Sequence, residues 1–316
     1  MKVYVKTPAR LHLGLIDLNG DLGRLFGGIG LGIDRPNFVL EASLSNKMFI
    51  MGERAEKVET LIKRFFGTCK IKASCSINLK EAIPEHSGLG SGTQLALAVA
   101  TALSMLSNLN KSVQDLAEIM GRGKRTSIGT TIFEQGGFVV DGGKNIRKNS
   151  FPITIFRQNF PKSWVFVVAI PNVKKGLADK NEKEAFRKLS PMTGEDVGRI
   201  CRLTMIKLLP SLLEQDIKGF GEALTEVQRI VGDHFANVQG GTFSSTAATE
   251  GIELMRKLGV YGVGQSSWGP AFYGLTSEDK AKGIKQHVQS FIRDSYGGHV
   301  FIAKANNRGA YIKVSK

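Results

Sequence analysis

With 316 residues, 42% of them hydrophobic, and a formal net charge of +15, the chain has material for a sizeable core and a surface that attracts polyanions. No apolar run reaches the length of a membrane span and the start MKVYVKTPAR lacks a signal-peptide core, so the composition reads as cytoplasmic, with no membrane partner. Cys69, Cys75 and Cys201 are odd in number and lack metal-ligand spacing, and His12, His86, His234, His287 and His299 form no metal motif, so neither a disulfide framework nor a zinc site is indicated. Lysine and arginine are scattered, without basic runs, aromatic RNA-binding motifs or zinc fingers, which favours a small polyanion over nucleic acid.

In chain order, the alternation at Val3 and Val5 and at Leu11, Leu13 and Leu15 predicts strands, with another at Phe38 to Leu44. Between them, Asp17 to Pro36 is dense in glycine and reads as tight turns or close approach to a ligand, or equally as a flexible hairpin. Asp17 and Arg24, charged residues at the ends of apolar segments, are expected to project into a cleft. A helix over 54–67 ends at Gly67 and a strand over 73–79 follows.

Pro84 to Gln94, reading PEHSGLGSGTQ, then precedes Thr93 to Met105, a helix apolar on nearly every face. Gly88, Gly90 and Gly92 permit backbone turns that converge successive N–H groups, and the helix dipole points back at them. Ser87, Gly88, Leu89, Gly90, Ser91, Gly92 and Thr93 are therefore candidates to hold a phosphate. The spacing matches neither the P-loop nor the dinucleotide fingerprint, and a plain tight turn capping a core helix is the alternative. His86, beside the loop, and His12 are candidates for proton transfer or phosphate contact.

Ser112 caps a second amphipathic helix closed by Gly121. Arg122, Lys124 and Arg125 precede a Gly/Ser/Thr-rich turn suited to another anionic group, and Glu134 and Asp141 flank a strand at 138–140. A composition shift near 150 divides the chain into domains 1–150 and 151–316. The second half opens with the strand Trp164 to Ile170, continues with helices near 195–213, 219–231 and 247–258, and has short strands around 262–275, a helix near 278–293 and strands at 299–304 and 310–315. The irregular alternation favours α+β layers.

With these pieces placed, the chain resembles the GHMP kinase superfamily over most of its length. Thr7-Pro8-Ala9-Arg10-Leu11-His12-Leu13-Gly14 is similar to its first motif, Pro84 to Thr93 to its phosphate loop, and Gly262 to Gly274 stands in the place of its third. The resemblance implies an α+β two-domain fold, with a ribosomal-protein-S5-like N-terminal domain and a ferredoxin-like C-terminal domain. Two departures stand out: Thr126 to Thr131 offers no aspartate where the kinases carry a catalytic base, and Gln265-Ser266-Ser267-Trp268-Gly269-Pro270 places an aromatic and a proline in the third motif.

HSGLGSGTQ, SIGTTIFEQGGFVVDGG and GQSSWGPAFYG together resemble one branch, the β-ribofuranosylaminobenzene 5′-phosphate synthases. That resemblance implies condensation of 5-phosphoribosyl 1-pyrophosphate with 4-aminobenzoate, with loss of pyrophosphate and CO₂, in tetrahydromethanopterin biosynthesis. It also implies a homodimer, Mg²⁺ near Asp17 and no organic cofactor. Asp17, Arg24 and His86 are the expected catalytic residues. Arg10, His12, Arg125, Gln265, Ser266, Ser267 and Trp268 join the glycine loop as binding residues, and Trp268 or Phe26 is expected to stack on the arene. An ATP-dependent small-molecule kinase of the same fold is the rival expectation, and a non-catalytic binding module the third.

Overall fold

The computed structural model describes residues 1–148, 150–173 and 179–315, with 179–183 by backbone alone. Its first half interleaves strands and helices: β1 (Lys2–Lys6), β2 (Ala9–Asp17), β3 (Arg24–Ile33), β4 (Val39–Leu44), β5 (Phe49–Gly52), α1 (Ala55–Cys69), β6 (Cys75–Glu81), α2 (Ser91–Leu106), α3 (Val113–Ile119), α4 (Ile128–Gln135), β7 (Phe138–Asp141) and β8 (Lys144–Asn145). The second half runs through β9 (Thr154–Gln158), β10 (Trp164–Pro171), α5 (Asp179–Lys188) and α6 (Gly194–Leu203), which passes through a π turn at Thr204–Leu208 into α7 (Leu209–Glu214). It closes with α8 (Ile217–Gln239), α9 (Thr246–Lys257), β11 (Gly262–Gln265), β12 (Phe272–Ser277), α10 (Glu278–Ser295), β13 (Gly298–Lys304) and β14 (Tyr311–Ser315).

Three sheets result, in the orders β14-β1-β4-β6-β5, β2-β3-β7-β9 and β11-β12-β10-β13, with β8 added to β3. Every pairing is antiparallel except β5 with β6. The expected division at 150 is not a cut in the pairing. Strand β9 lies beyond it yet pairs with β7, and β14 returns from the far end of the chain to β1.

Helix α2 explains why one stretch of sequence organises the first half. From Gln94 to Ser104 every side chain is buried, so this helix has no solvent face and its surroundings are built round it. Ser112 caps α3 as expected, in a reciprocal capping box with Asp115.

Of the two readings of the glycine-dense run, the hairpin holds: β2 and β3 pair antiparallel and half of the run is the strand β3. Gly28, Gly30 and Gly32 share the face on which α4 lies: a side chain on Gly30 would come within 2.3 Å of Ile128 and one on Gly32 within 3.2 Å of Ile132. The glycines serve close helix–sheet packing. The Gly/Ser/Thr-rich stretch after Arg125 is likewise helical, as α4.

Candidate active site

The glycine loop is wound by left-handed residues at alternate positions, His86 (φ 54), Gly88 (φ 84) and Gly90 (φ 78). That alternation turns successive amides to one side. Among the described residues, none accepts a hydrogen bond from the amides of Ser87, Gly88, Leu89, Gly90, Ser91 or Gly92. Two guanidinium groups pack on the same turn. A Cβ on Gly90 would meet Arg10 Cγ at 2.6 Å, and one on Gly92 would meet Arg122 Nη1 at 3.3 Å. Arg10 also donates to the Gly88 carbonyl over 2.9 Å. The first turn of α2 carries no acidic residue, and two cations lie at the positive end of its dipole.

Arg10 also lines a cavity of about 790 Å³, counting its open mouth. Strand β2 contributes Arg10 and His12, the loop before α4 contributes Arg125 and Thr126, and the turn after β11 contributes Ser267 and Trp268. The remaining wall comes from α5 through Phe186, from α8 through Gln228 and Phe235, and from Thr242 and Phe243 beyond it. Among the described residues no carboxylate lines it. The glycine loop abuts this cavity and does not line it.

His12 is buried, which pushes its pKa from 6.5 down to about 3, with the Arg10 charge adding to the effect. Its imidazole is therefore neutral near pH 7 and offers a hydrogen bond, not a charge.

The third motif is a frame. The Gln265 side chain accepts from the Ser244 amide (2.7 Å) and donates to the Ser267 carbonyl (2.9 Å), while its own amide donates to Gln228 Oε1 (2.8 Å). The Ser266 hydroxyl accepts from the His12 amide (2.9 Å) and donates to the Gly88 carbonyl (2.8 Å). A Cβ on Gly88 would meet the Ser266 carbonyl oxygen at 2.1 Å, so the two motifs can touch only through glycine. Gln265 also lines the cavity, and both side chains hold neighbouring motifs in position.

The three residues expected to be catalytic are not brought together. Asp17 Oδ1 accepts from the amides of Asn19 (2.7 Å) and Gly20 (2.9 Å), closing the β2–β3 turn. Arg24 donates to the carbonyls of Gly142 (2.5 Å) and Gly143 (2.7 Å) and ties that turn to β3. His86 lies in the loop's left-handed entry, beside Glu85, whose pKa is lowered first by its hydrogen bond from Lys57. None of the three lines the cavity.

Phe26 packs edge-on against Phe186 and is not part of the lining, whereas Trp268 is. Leu89 is buried in the core and contributes only backbone, and the Thr93 methyl rests on Gly129. Among the described residues no three His, Cys, Asp or Glu side chains converge, and Asp17 stands as a single, partly engaged carboxylate, which does not fit a resident divalent cation.

Several residues of the site escape a sequence reading. Gln228 is buried and donates to the Leu13 carbonyl over 2.7 Å. Its one signal is a polar residue on the apolar face of α8. Asp141, expected as a flanking acid, is wholly buried; both its oxygens accept amides, from Gly143 and Ser127 at 2.8 Å each, while burial raises its pKa from 3.8 to about 6.

The fold and its matched domains define a GHMP-kinase-type architecture. Residues 54–137 match the GHMP kinases N terminal domain and residues 208–294 the GHMP kinases C terminal domain. A solved homoserine kinase from Cytophaga hutchinsonii superposes with a TM-score of 0.70 at 18% identity, over 99% of this chain and 97% of that one. More specific are two archaeal proteins named beta-ribofuranosylphenol 5'-phosphate synthase. The one from Methanothermobacter thermautotrophicus is 31% identical over 99% of both chains, and the one from Archaeoglobus fulgidus is 35% identical over 98% of this chain and 99% of its own. The chain belongs to this synthase family.

Proposed function

We propose that the chain condenses 5-phosphoribosyl 1-pyrophosphate with a benzoate carrying an electron donor para to its carboxylate, releasing pyrophosphate and CO₂. The observation that carries this reading is the pair of guanidinium groups, Arg10 and Arg122, on a helix start whose six preceding and first-turn amides have no acceptor among the described residues. Such a site suits a phosphoryl group, and the cavity next to it has room for a ring.

The chemistry needs no protein nucleophile. The para donor pushes electrons to the ring carbon bearing the carboxylate, which attacks the anomeric carbon as the bond to pyrophosphate oxygen breaks. The C–CO₂⁻ bond then cleaves, its electron pair restores the aromatic ring, and CO₂ departs. The protein's part is positioning and charge stabilisation: Arg10 and the loop amides receive the growing negative charge on pyrophosphate, and His12, neutral, leaves that field undiminished. A Mg²⁺ accompanying the reaction would enter on the pyrophosphate oxygens, since Asp17 alone does not hold it.

The motifs resemble an aniline-producing branch, while the relatives' name denotes a phenol. The two arenes, 4-aminobenzoate and its 4-hydroxy counterpart, differ only in the para donor, and both direct electrons to the same carbon. The test supplies each, carboxyl-labelled, with the ribosyl donor and Mg²⁺, and follows released CO₂ and pyrophosphate. Donor-dependent release in equal amounts is expected, and the faster arene identifies the substrate. ADP formation from ATP and an alcohol, with no CO₂ from either arene, would make the chain a kinase instead.

A further inference from the structure

Resting on that reading, we propose that His12 is the contact for the 2-hydroxyl of the ribosyl donor, so that the cavity selects a ribosyl over a 2-deoxyribosyl group. Of the five histidines it is the only one among the residues that line the cavity. The third motif clasps its backbone from both sides: the His12 amide donates to Ser266 Oγ over 2.9 Å, and the His12 carbonyl accepts from the Ser267 amide over 3.3 Å. Its imidazole lies over Gly28, with Nε2 3.5 Å from where a Cβ would stand and the Thr126 methyl 3.3 Å from the same point. Glycine there leaves the ring its place. The residue is only 9% exposed, yet none of the described residues hydrogen-bonds the ring. His287 makes the contrast, since on the surface of α10 its Nδ1 still lies 2.9 Å from the Gly283 carbonyl oxygen. A buried polar group without a partner is costly to keep, and a fold that fixes the backbone of such a residue while leaving its ring unmatched holds the ring for a ligand.

The state of the ring says what that ligand group is. Burial keeps the imidazole neutral near pH 7, with one nitrogen that donates and one that accepts. A hydroxyl also donates and accepts, whereas a phosphate oxygen only accepts. The placement says which hydroxyl. Arg10 and His12 pair with Gly32 and Gly30 of β3, so they project to the same face of β2 about 7 Å apart. Arg10 reaches the glycine loop, where it packs on Gly90 and donates to the Gly88 carbonyl. Pyrophosphate held by the loop and Arg10 puts C1 of the sugar at its edge, and the next carbon carries the 2-hydroxyl. The imidazole, one strand step from Arg10, meets that group.

Ribose 1-phosphate and 2-deoxyribose 1-phosphate serve as probes, because each carries a phosphate on C1 and they differ by this one hydroxyl. Calorimetry on the wild type should show ribose 1-phosphate bound about tenfold more tightly, or ~1.4 kcal/mol. H12F keeps a ring and removes its hydrogen bonds. It should lose about tenfold on ribose 1-phosphate and change by less than about twofold toward 2-deoxyribose 1-phosphate and pyrophosphate, so that the preference disappears. If H12F does not fold, wild type labelled with ¹⁵N-histidine gives the same reading: the His12 ring resonances, assigned by their absence from H12N, should move with ribose 1-phosphate and stay in place with its 2-deoxy counterpart. A preference that persists in H12F, equal affinity of the wild type for the two sugars, or failure of the wild type to bind either sugar overturns the assignment. A preference lost in H12F, without CO₂ release from either arene, keeps the contact and removes the reaction; CO₂ release with equal affinity for the two sugars does the reverse.

Discussion

The glycine loop before α2 and the turn after β11 read alike in the sequence, each a run of glycine and serine expected to hold substrate, yet they are built in opposite ways. The first leaves six consecutive amides without acceptors among the described residues and gathers two arginines. The second commits the side chains of Gln265 and Ser266 to its neighbours, clasping Ser244, Ser267, His12 and Gly88. A loop that withholds its polar groups from its own fold keeps them for a ligand, and a loop that satisfies them internally fixes the place of others.

Four measurements would break or sharpen that contrast. The largest effect concerns His12, whose backbone the second loop clasps. Its folded pKa of about 3 lies below the unfolded 6.5. The stability it contributes is therefore complete above pH 6.5 and lost as pH falls through 3, with a slope of about 1.4 kcal/mol per pH unit and a total of up to about 5 kcal/mol. Urea unfolding of wild type and H12N between pH 7 and 4.5 should diverge in slope; parallel curves would mean that the imidazole is solvated.

R10A should lower turnover by about 10²–10³-fold, as loss of a group aimed at developing charge does, with a modest fall in unfolding midpoint. Near-normal turnover would return the glycine loop to the status of a simple helix entry. Q265A should instead cost stability, about 2 kcal/mol for the Ser244 amide and Ser267 carbonyl left without partners, while pyrophosphate affinity changes less than about twofold. A large loss of pyrophosphate affinity would make the third motif a direct contact. Smallest is R24A: about 1 kcal/mol from two lost carbonyl bonds, with turnover within about threefold. A collapse of turnover at unchanged midpoint would restore Arg24 to the reacting atoms.

The loop, α2 and the α+β architecture were legible because each rests on local pattern: glycines before an apolar run, and alternation in the strands. The cavity was not, because its far wall depends on contacts distant in sequence. Helix α8 was expected to stop at 231, just before Gly232; in the fold it continues to Gln239, since that glycine makes room for the Thr242 carbonyl, and so Phe235 was missed. Helix α5, which supplies Phe186, was not foreseen, for its sequence DKNEKEAFRK has few apolar residues to mark a period. Asp17 and Arg24 were overvalued for a related reason: a charged residue at a strand end looks the same in sequence whether it faces a ligand or a neighbouring carbonyl.

The lining of the cavity has one consequence for how the reaction responds to acidity. Its cations are arginines, a side chain that keeps its proton throughout the biological range, its histidine is deprotonated down to about pH 3, and its described residues include no acid. The described part of the lining therefore keeps its charge across that range. A change of rate between pH 5 and 9 is then to be sought in the arene's own donor, in the phosphates and in Asp141, whose pKa burial raises to about 6.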